Sequence, residues 1–225
     1  MTDTSITERN TDTTKQKTQM DYILLDSSQS MQDKWWDTLD SIEAYVQGVK
    51  RENIQSRIIL HSFDDIALEL IHRDVPIEKW IPLRNDPIGA YWGSTPLYDA
   101  ISLMASKLRD LDPPRASIVI VTDGAENASR FTTMEQAKAL LDWMRAKGWQ
   151  VTFIGANFSN ARQASLLGGD PNSAIGVERR RLSDATTALA KKRARYGLYG
   201  EAMHYTDDEK QQFGGYLNKP EDPRE

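Results

Sequence analysis

Asp26, Ser28 and Ser30 occupy alternate positions in the segment DSSQS, directly after the apolar run YILL at 22–25. A second acid, Asp123, ends the apolar segment ASIVIVTD at 116–123, and Thr95 lies in GSTPLYDAI at 93–101, just ahead of a helical pattern. Serines and an aspartate after a strand can simply build a turn or cap the next helix. If the two strand ends are neighbours, however, the five side chains make an oxygen-only cluster of two carboxylates and three hydroxyls. Such a set suits a hard cation with octahedral preference. Magnesium takes oxygen ligands at about 2.0–2.1 Å and keeps several waters, and manganese accepts similar sites. Two carboxylates nearly neutralise a divalent ion, and hydroxyls fill positions without adding charge. The Asp-x-Ser-x-Ser alternation lets the three side chains point one way while the backbone is still partly extended.

Catalytic uses of the same residues fit less well. No GxSxG elbow is present, and no histidine lies near DSSQS in sequence to serve as a base. An aspartyl nucleophile after a strand needs a second carboxylate two residues on as general acid, and Ser28 occupies that place. The expectation is a chain that is not an enzyme.

These residues must be positioned by alternating strands and helices. DYILLD (21–26) reads as a strand buried on both faces. Trp35, Leu39, Ile42, Val46 and Val49 follow at helical spacing. RIILHSF (57–63) and IALELI (66–71) read as two strands separated by Asp64 and Asp65, a gap so short that one must run antiparallel. Leu97, Ala100, Ile101, Met104 and Leu108 mark a second helix, stopped by Pro113 and Pro114. After the strand at 116–123, Thr132 and Glu135 form a capping-box pattern for a third helix that Gly148 closes. QVTFIGA (150–156) and SAIGVE (173–178) are further strands, Ser159 caps a short helix before Gly168 and Gly169, and Ser183 opens a helix to about Tyr199. The pattern predicts an α/β domain with a mostly parallel central sheet, one antiparallel edge strand and helices on both faces. Ligands of such sheets bind beyond the carboxyl ends of the strands, where both aspartates fall.

The 225 residues suffice for one sizeable core, and 39% hydrophobic with 27% charged residues is ordinary for a globular domain. Residues 1–19 read as a flexible arm, 20–200 as the domain and 201–225 as a mostly flexible tail. A net charge of −5 gives no general attraction to nucleic acid or anionic membrane. With no cysteine there is no thiolate site, and no stretch approaches the roughly 18 apolar residues of a membrane span. The N-terminus lacks a signal-peptide core, so a cytoplasmic location is expected.

Taken together and in this order, DSSQS, GSTPLYDAI and VTDGAENAS resemble the von Willebrand factor A (vWA) domain, over roughly residues 20–200. TFIGANFSNARQASLLGG further resembles the later part of bacterial and phage-borne intracellular members. The resemblance implies a Rossmann-like three-layer fold and a metal-ion-dependent adhesion site (MIDAS) made by Asp26, Ser28, Ser30, Thr95 and Asp123. In it Ser28 and Ser30 would bind Mg²⁺ (or Mn²⁺) directly, Thr95 directly or through water, and the two aspartates mainly through water. It also implies that a protein partner supplies an Asp or Glu to the metal. Two other functions stay open: a metal-assisted phosphohydrolase or phosphate sensor, and an adaptor or assembly component of an intracellular ATPase system or phage-encoded machine. Where many relatives carry paired glycines, this chain reads Trp92, Gly93, Ser94, Thr95, which leaves switching of that loop open.

Other residues near the motifs carry plainer expectations. Asp99 and Glu126 read as solvated or helix-capping acids, and Asn127 as either a bond to the loop after Asp123 or a simple turn. Tyr91 and Trp92 either form an aromatic rim or cover the domain's top. One of Trp35 and Trp36 should be core and the other exposed. The histidines lack ligand spacing, and the basic segment 178–195 reads as a solvated helix face rather than a nucleic-acid surface. Glu221 or Asp222 of the tail could reach the open metal position.

Overall fold

The structure, a computed structural model, describes residues 18–123, 126–156 and 167–214. Six strands form one sheet in the order β3-β2-β1-β4-β5-β6. They are β1 Gln19–Asp26, β2 Ser56–Phe63, β3 Leu70–Pro76, β4 Ala116–Val121, β5 Gln150–Ala156 and β6 Ala174–Val177. All neighbouring pairs are parallel except β2 with β3, so the antiparallel strand is the edge, as the short gap in the sequence requires. Five helices are described: α1 Trp35–Arg51, α2 Leu97–Leu111, α3 Met134–Ala146, α4 Leu182–Tyr199 and α5 Asp207–Phe213.

The continuous apolar runs of the central strands are explained by two separate cores. Ile23 and Leu25 of β1, with Val119 and Val121 of β4, pack toward the face covered by α1 and α4. Tyr22 and Leu24, with Ile118 and Ile120, face α2 and α3 on the other side. Side chains of a strand alternate between faces, so a strand covered on both sides must be apolar at every position. Helix α1 approaches α4 closely at Gly48, where an added Cβ would lie 2.4 Å from Ala190 Cβ.

Register and chain path together place the site. Asp26 pairs with Phe63 and Leu25 with Val121, so β1, β2 and β4 end level with one another. From β1 the chain runs outward to β2 and β3, then returns through α2 to β4 on the other flank of β1. The crevice between β1 and β4 is therefore a topological switch point.

Several sequence expectations shift. The second hairpin strand spans Leu70–Pro76 rather than 66–71, because Asp64 Oδ1 accepts from the backbone of Ile66 (2.9 Å) and Ala67 (2.7 Å) and folds that stretch into a turn. The capping box is made by Thr133 and Gln136, one residue later than expected, since Thr132 N donates to Asp99 Oδ1 at 2.7 Å. Within the stretch read as a mostly flexible tail with Phe213 free to dock, Met203, Tyr205 and Phe213 are buried, and Glu178 N donates to Phe213 O at 2.9 Å. The helix expected at Ser159 and the tail acids Glu221 and Asp222 lie outside the described residues.

Candidate metal centre

At the carboxyl end of β1 the chain leaves the sheet at Asp26 and enters a tight turn over Gln29–Lys34 before α1 begins. Asp26 is fully buried. Its Oδ1 accepts from Ser28 N at 2.8 Å, which bends the chain so that Ser28 follows closely behind the acid. Its Oδ2 accepts from Thr122 Oγ1 at 2.7 Å, which joins it to the end of β4. Burial pushes the Asp26 carboxyl up to about 6 against these bonds, and the nearby charge of Asp123 adds to the rise.

The serines carry the cluster across to β4. Ser28 Oγ and Ser30 Oγ are 3.2 Å apart, and Ser30 Oγ donates to Asp123 Oδ1 at 2.7 Å. Adjacent ligand oxygens of an octahedral shell with bonds near 2.1 Å lie about 3.0 Å apart. The two separations bracket that edge, so this donor set fits a magnesium-sized ion. The other Asp123 oxygen, Oδ2, accepts from the ammonium of Lys34, which also donates to Ser30 O at 2.9 Å.

Thr95 reaches the same edge through its backbone and is itself buried. Gln29 N donates to Gly93 O at 2.8 Å, tying the threonine loop to the serine turn. Asn127 accepts from Thr95 N at 2.8 Å and donates its own N–H to Thr95 O at 3.1 Å, tying the loop to the segment after Asp123. Direct side-chain hydrogen bonds thus join Ser28, Ser30 and Asp123, whereas Asp26 and Thr95 are brought in through neighbouring groups. The threonine loop is held tightly: Trp92 sits at φ +62°, a left-handed conformation that costs a non-glycine residue energy. A Cβ at Gly93 would meet Asp65 Oδ1 at 2.2 Å.

Four acids around the site have structural duties; the sequence reading raised a helix-capping duty for Glu126 and missed those of Asp64, Asp65 and the loop bonds of Asp99. Asp64 Oδ2 accepts from Ser27 Oγ at 3.1 Å, and Asp65 Oδ1 from Ser94 N at 2.6 Å, so the acids of the hairpin gap latch the serine turn and the threonine loop. Asp99, read as a solvated or helix-capping acid, is only 4% exposed and accepts from the backbones of Arg130 (2.8 Å), Phe131 (3.1 Å) and Thr132 (2.7 Å). Glu126 accepts from Tyr98 N at 3.0 Å and Ser129 N at 2.6 Å. The available signal was position: all four follow a strand end or the first turn of a helix at the switch-point edge.

The aromatic residues divide their roles. Trp35 is core and Trp36 is 60% exposed. Trp92 packs edge-on against Trp35 with ring centroids 5.2 Å apart, while Tyr91 is exposed. The histidines have partners other than the cluster: His61 pairs with Tyr22 Oη (2.8 Å) and Leu68 O (3.1 Å), His72 with Ser62 Oγ (2.7 Å), and His204 Nε2 lies 3.6 Å from Asp170 Oδ2. Within the basic segment, Arg193 departs from the solvated-face expectation. It is fully buried against Asp21, at 2.8 and 3.1 Å.

Among the described residues no group of three or more His, Cys, Asp or Glu side chains could hold a metal; the cluster above has two acids, and its remaining donors are hydroxyls. No helix among them is long and apolar enough to cross a membrane.

No protein-family model matches the chain, and no curated protein sequence matches it. Solved structures do. The vWF domain of the type V pili tip protein Mfa5 from Porphyromonas gingivalis superposes with a TM-score of 0.66 at 11% identity, over 85% of this chain and 99% of that one. The pilus adhesin SpaC from Lactobacillus rhamnosus GG gives 0.60 at 10% identity, over 81% of this chain, which spans only 31% of the adhesin. Manganese-loaded TRAP protein from Plasmodium vivax gives 0.53 at 14% identity, over 75% of this chain and 71% of that one. The chain therefore has a vWA-like fold, a three-layer α/β arrangement around a mostly parallel sheet.

Proposed function

We propose that this protein is a divalent-metal-dependent interaction module. In this reading Asp26, Ser28, Ser30, Thr95 and Asp123 hold Mg²⁺ or Mn²⁺ at the carboxyl edge of the sheet, as a MIDAS does. The ion's open position takes an Asp or Glu from a protein partner. The observation that carries the reading is the meeting of the β1 turn and the β4 end, with Ser28, Ser30 and Asp123 oxygens spaced like the edge of an octahedral shell. A manganese-loaded neighbour of the same fold supports it. Once bound, the ion would offset the charge of the two acids at this edge and keep an open position for an anionic group.

A non-catalytic role is favoured over phosphoester hydrolysis because the hydrogen bonds of His61 and His72 go to groups outside the cluster, so neither imidazole is placed there as a general base. An adaptor role in a larger assembly would use the same metal-centred contact.

Isothermal titration of the full chain with Mg²⁺ tests the assignment. The wild type should take up the ion, and the double variant Asp26→Ala with Ser28→Ala should take up far less. Equal uptake by both would refute it. Capture of partners with Mg²⁺ and with chelator then separates contacts made at this edge from those made elsewhere.

A further inference from the structure

Among the described residues, Lys34 is the cationic side chain that pairs with Asp123, so its chemistry opposes the proposed ion. It ends the turn Gln29–Lys34 and immediately precedes α1, which aims its stem back along the turn toward β4. Its ammonium bonds Asp123 Oδ2 and, at 2.9 Å, Ser30 O. Ser30 Oγ holds Asp123 Oδ1 at the same time, so both oxygens of that carboxylate are engaged. The contact is sheltered, with the Lys34 side chain 15% and the Asp123 side chain 3% exposed. A third group lies within range: Asp33 Oδ1 is 3.6 Å from the ammonium, on a side chain that is 71% exposed.

We infer that Lys34 is a built-in counter-cation that competes with the divalent ion for Asp123. This rests on the metal-site reading and deepens it. A unit positive charge and a divalent ion cannot share one sheltered carboxylate without strong repulsion, because solvent screening is weak there. Metal loading therefore requires the ammonium to leave Asp123 Oδ2. Asp33 offers the place to go: its Oδ2 lies 3.7 Å from Arg179, but its Oδ1 is reachable by rotation of the lysine stem while the charge stays paired and gains solvent. The lysine thus lowers the affinity of the site and keeps Asp123 neutralised while no divalent ion is present. It is a specificity-setting residue, since only an ion that gains more from the oxygen cluster than the ammonium does will displace it.

The test compares the full-length wild type with Lys34→Met, which keeps the apolar stem and removes the charge. In titrations with Mg²⁺ alone, the variant should bind about tenfold more tightly or better. In chelator it should unfold at lower temperature than the wild type, and saturating Mg²⁺ should close that gap. Equal or weaker Mg²⁺ affinity in the variant overturns the competition and leaves the metal site standing. Absence of uptake by both proteins overturns the metal reading itself, and the competition falls with it. A second measurement needs no substitution: the rate at which an amine-acylating reagent labels Lys34 in the wild type, read by mass spectrometry. Mg²⁺ should raise that rate as the ammonium moves into solvent. An unchanged rate under conditions where titration shows binding also overturns the inference.

Discussion

Replacing Asp26 by asparagine removes a charge from the most enclosed position of the site while keeping its shape. The asparagine can still accept from Ser28 N and can donate to Thr122 Oγ1, so the two bonds at 2.8 and 2.7 Å have near equivalents. What disappears is a carboxylate with no solvent exposure. Burial lifts its pKa from 3.8 to about 6, so the folded protein holds this proton more strongly than the unfolded chain does. The protonated acid therefore favours the fold below the unfolded value, and that advantage is lost as pH rises through the window between 3.8 and about 6. At 1.36 kcal/mol per pH unit, the loss amounts to about 3 kcal/mol for this group. Urea unfolding in chelator, repeated from below the lower value to above the upper one, measures it. The stability of Asp26→Asn relative to wild type should rise by about that amount across the window. Saturating Mg²⁺ above the window should restore the wild type and leave the variant largely unaffected. Parallel stability–pH curves for the two proteins in chelator would show that burial does not penalise the Asp26 anion, and the reasoning would fail.

Three further outcomes follow from particular contacts. Arg193→Met leaves Asp21 buried without its guanidinium and should cost about 3–5 kcal/mol in urea unfolding, while adding Asp21→Asn should recover much of the loss. Gly93→Ala drives a methyl against Asp65 Oδ1 and shifts the loop carrying Thr95. It should lower stability by about 1–3 kcal/mol and weaken Mg²⁺ uptake in calorimetry, whereas wild-type uptake would show that the loop is not part of the site. Asp99→Ala strands the backbone N–H groups of residues 130–132 and should cost about 3 kcal/mol or more, with amide exchange quickened first in that segment.

Arg193 and Asp99 also show where sequence reading stops. The helix read from Ser183 to about Tyr199 is present as Leu182–Tyr199, yet the basic segment reads as a solvated face, and Arg193 lies instead buried against Asp21 of β1. Asp99 sits in the first turn of α2, where an acid is locally favourable at a helix N-terminus. Its actual duty is to a loop thirty residues on. Thr132 was a reasonable N-cap on local grounds, but its N–H was already taken by Asp99, so the cap moved to Thr133. In each case the partner is distant in sequence, and local spacing carries no information about it.

The sequence alone determined the alternation of strands and helices, the antiparallel edge and the identity of the candidate ligands. Those follow from periods of two and 3.6 residues and from short spacings within single segments. Tertiary structure decided how the segments carrying the candidate ligands meet: the level ends of β1 and β4, the latches of Asp64, Asp65 and Asn127, and the ammonium of Lys34 resting on Asp123. Electrostatic contacts of that kind depend on distance in space and on exclusion of water, and both are settled only when the sheet has assembled.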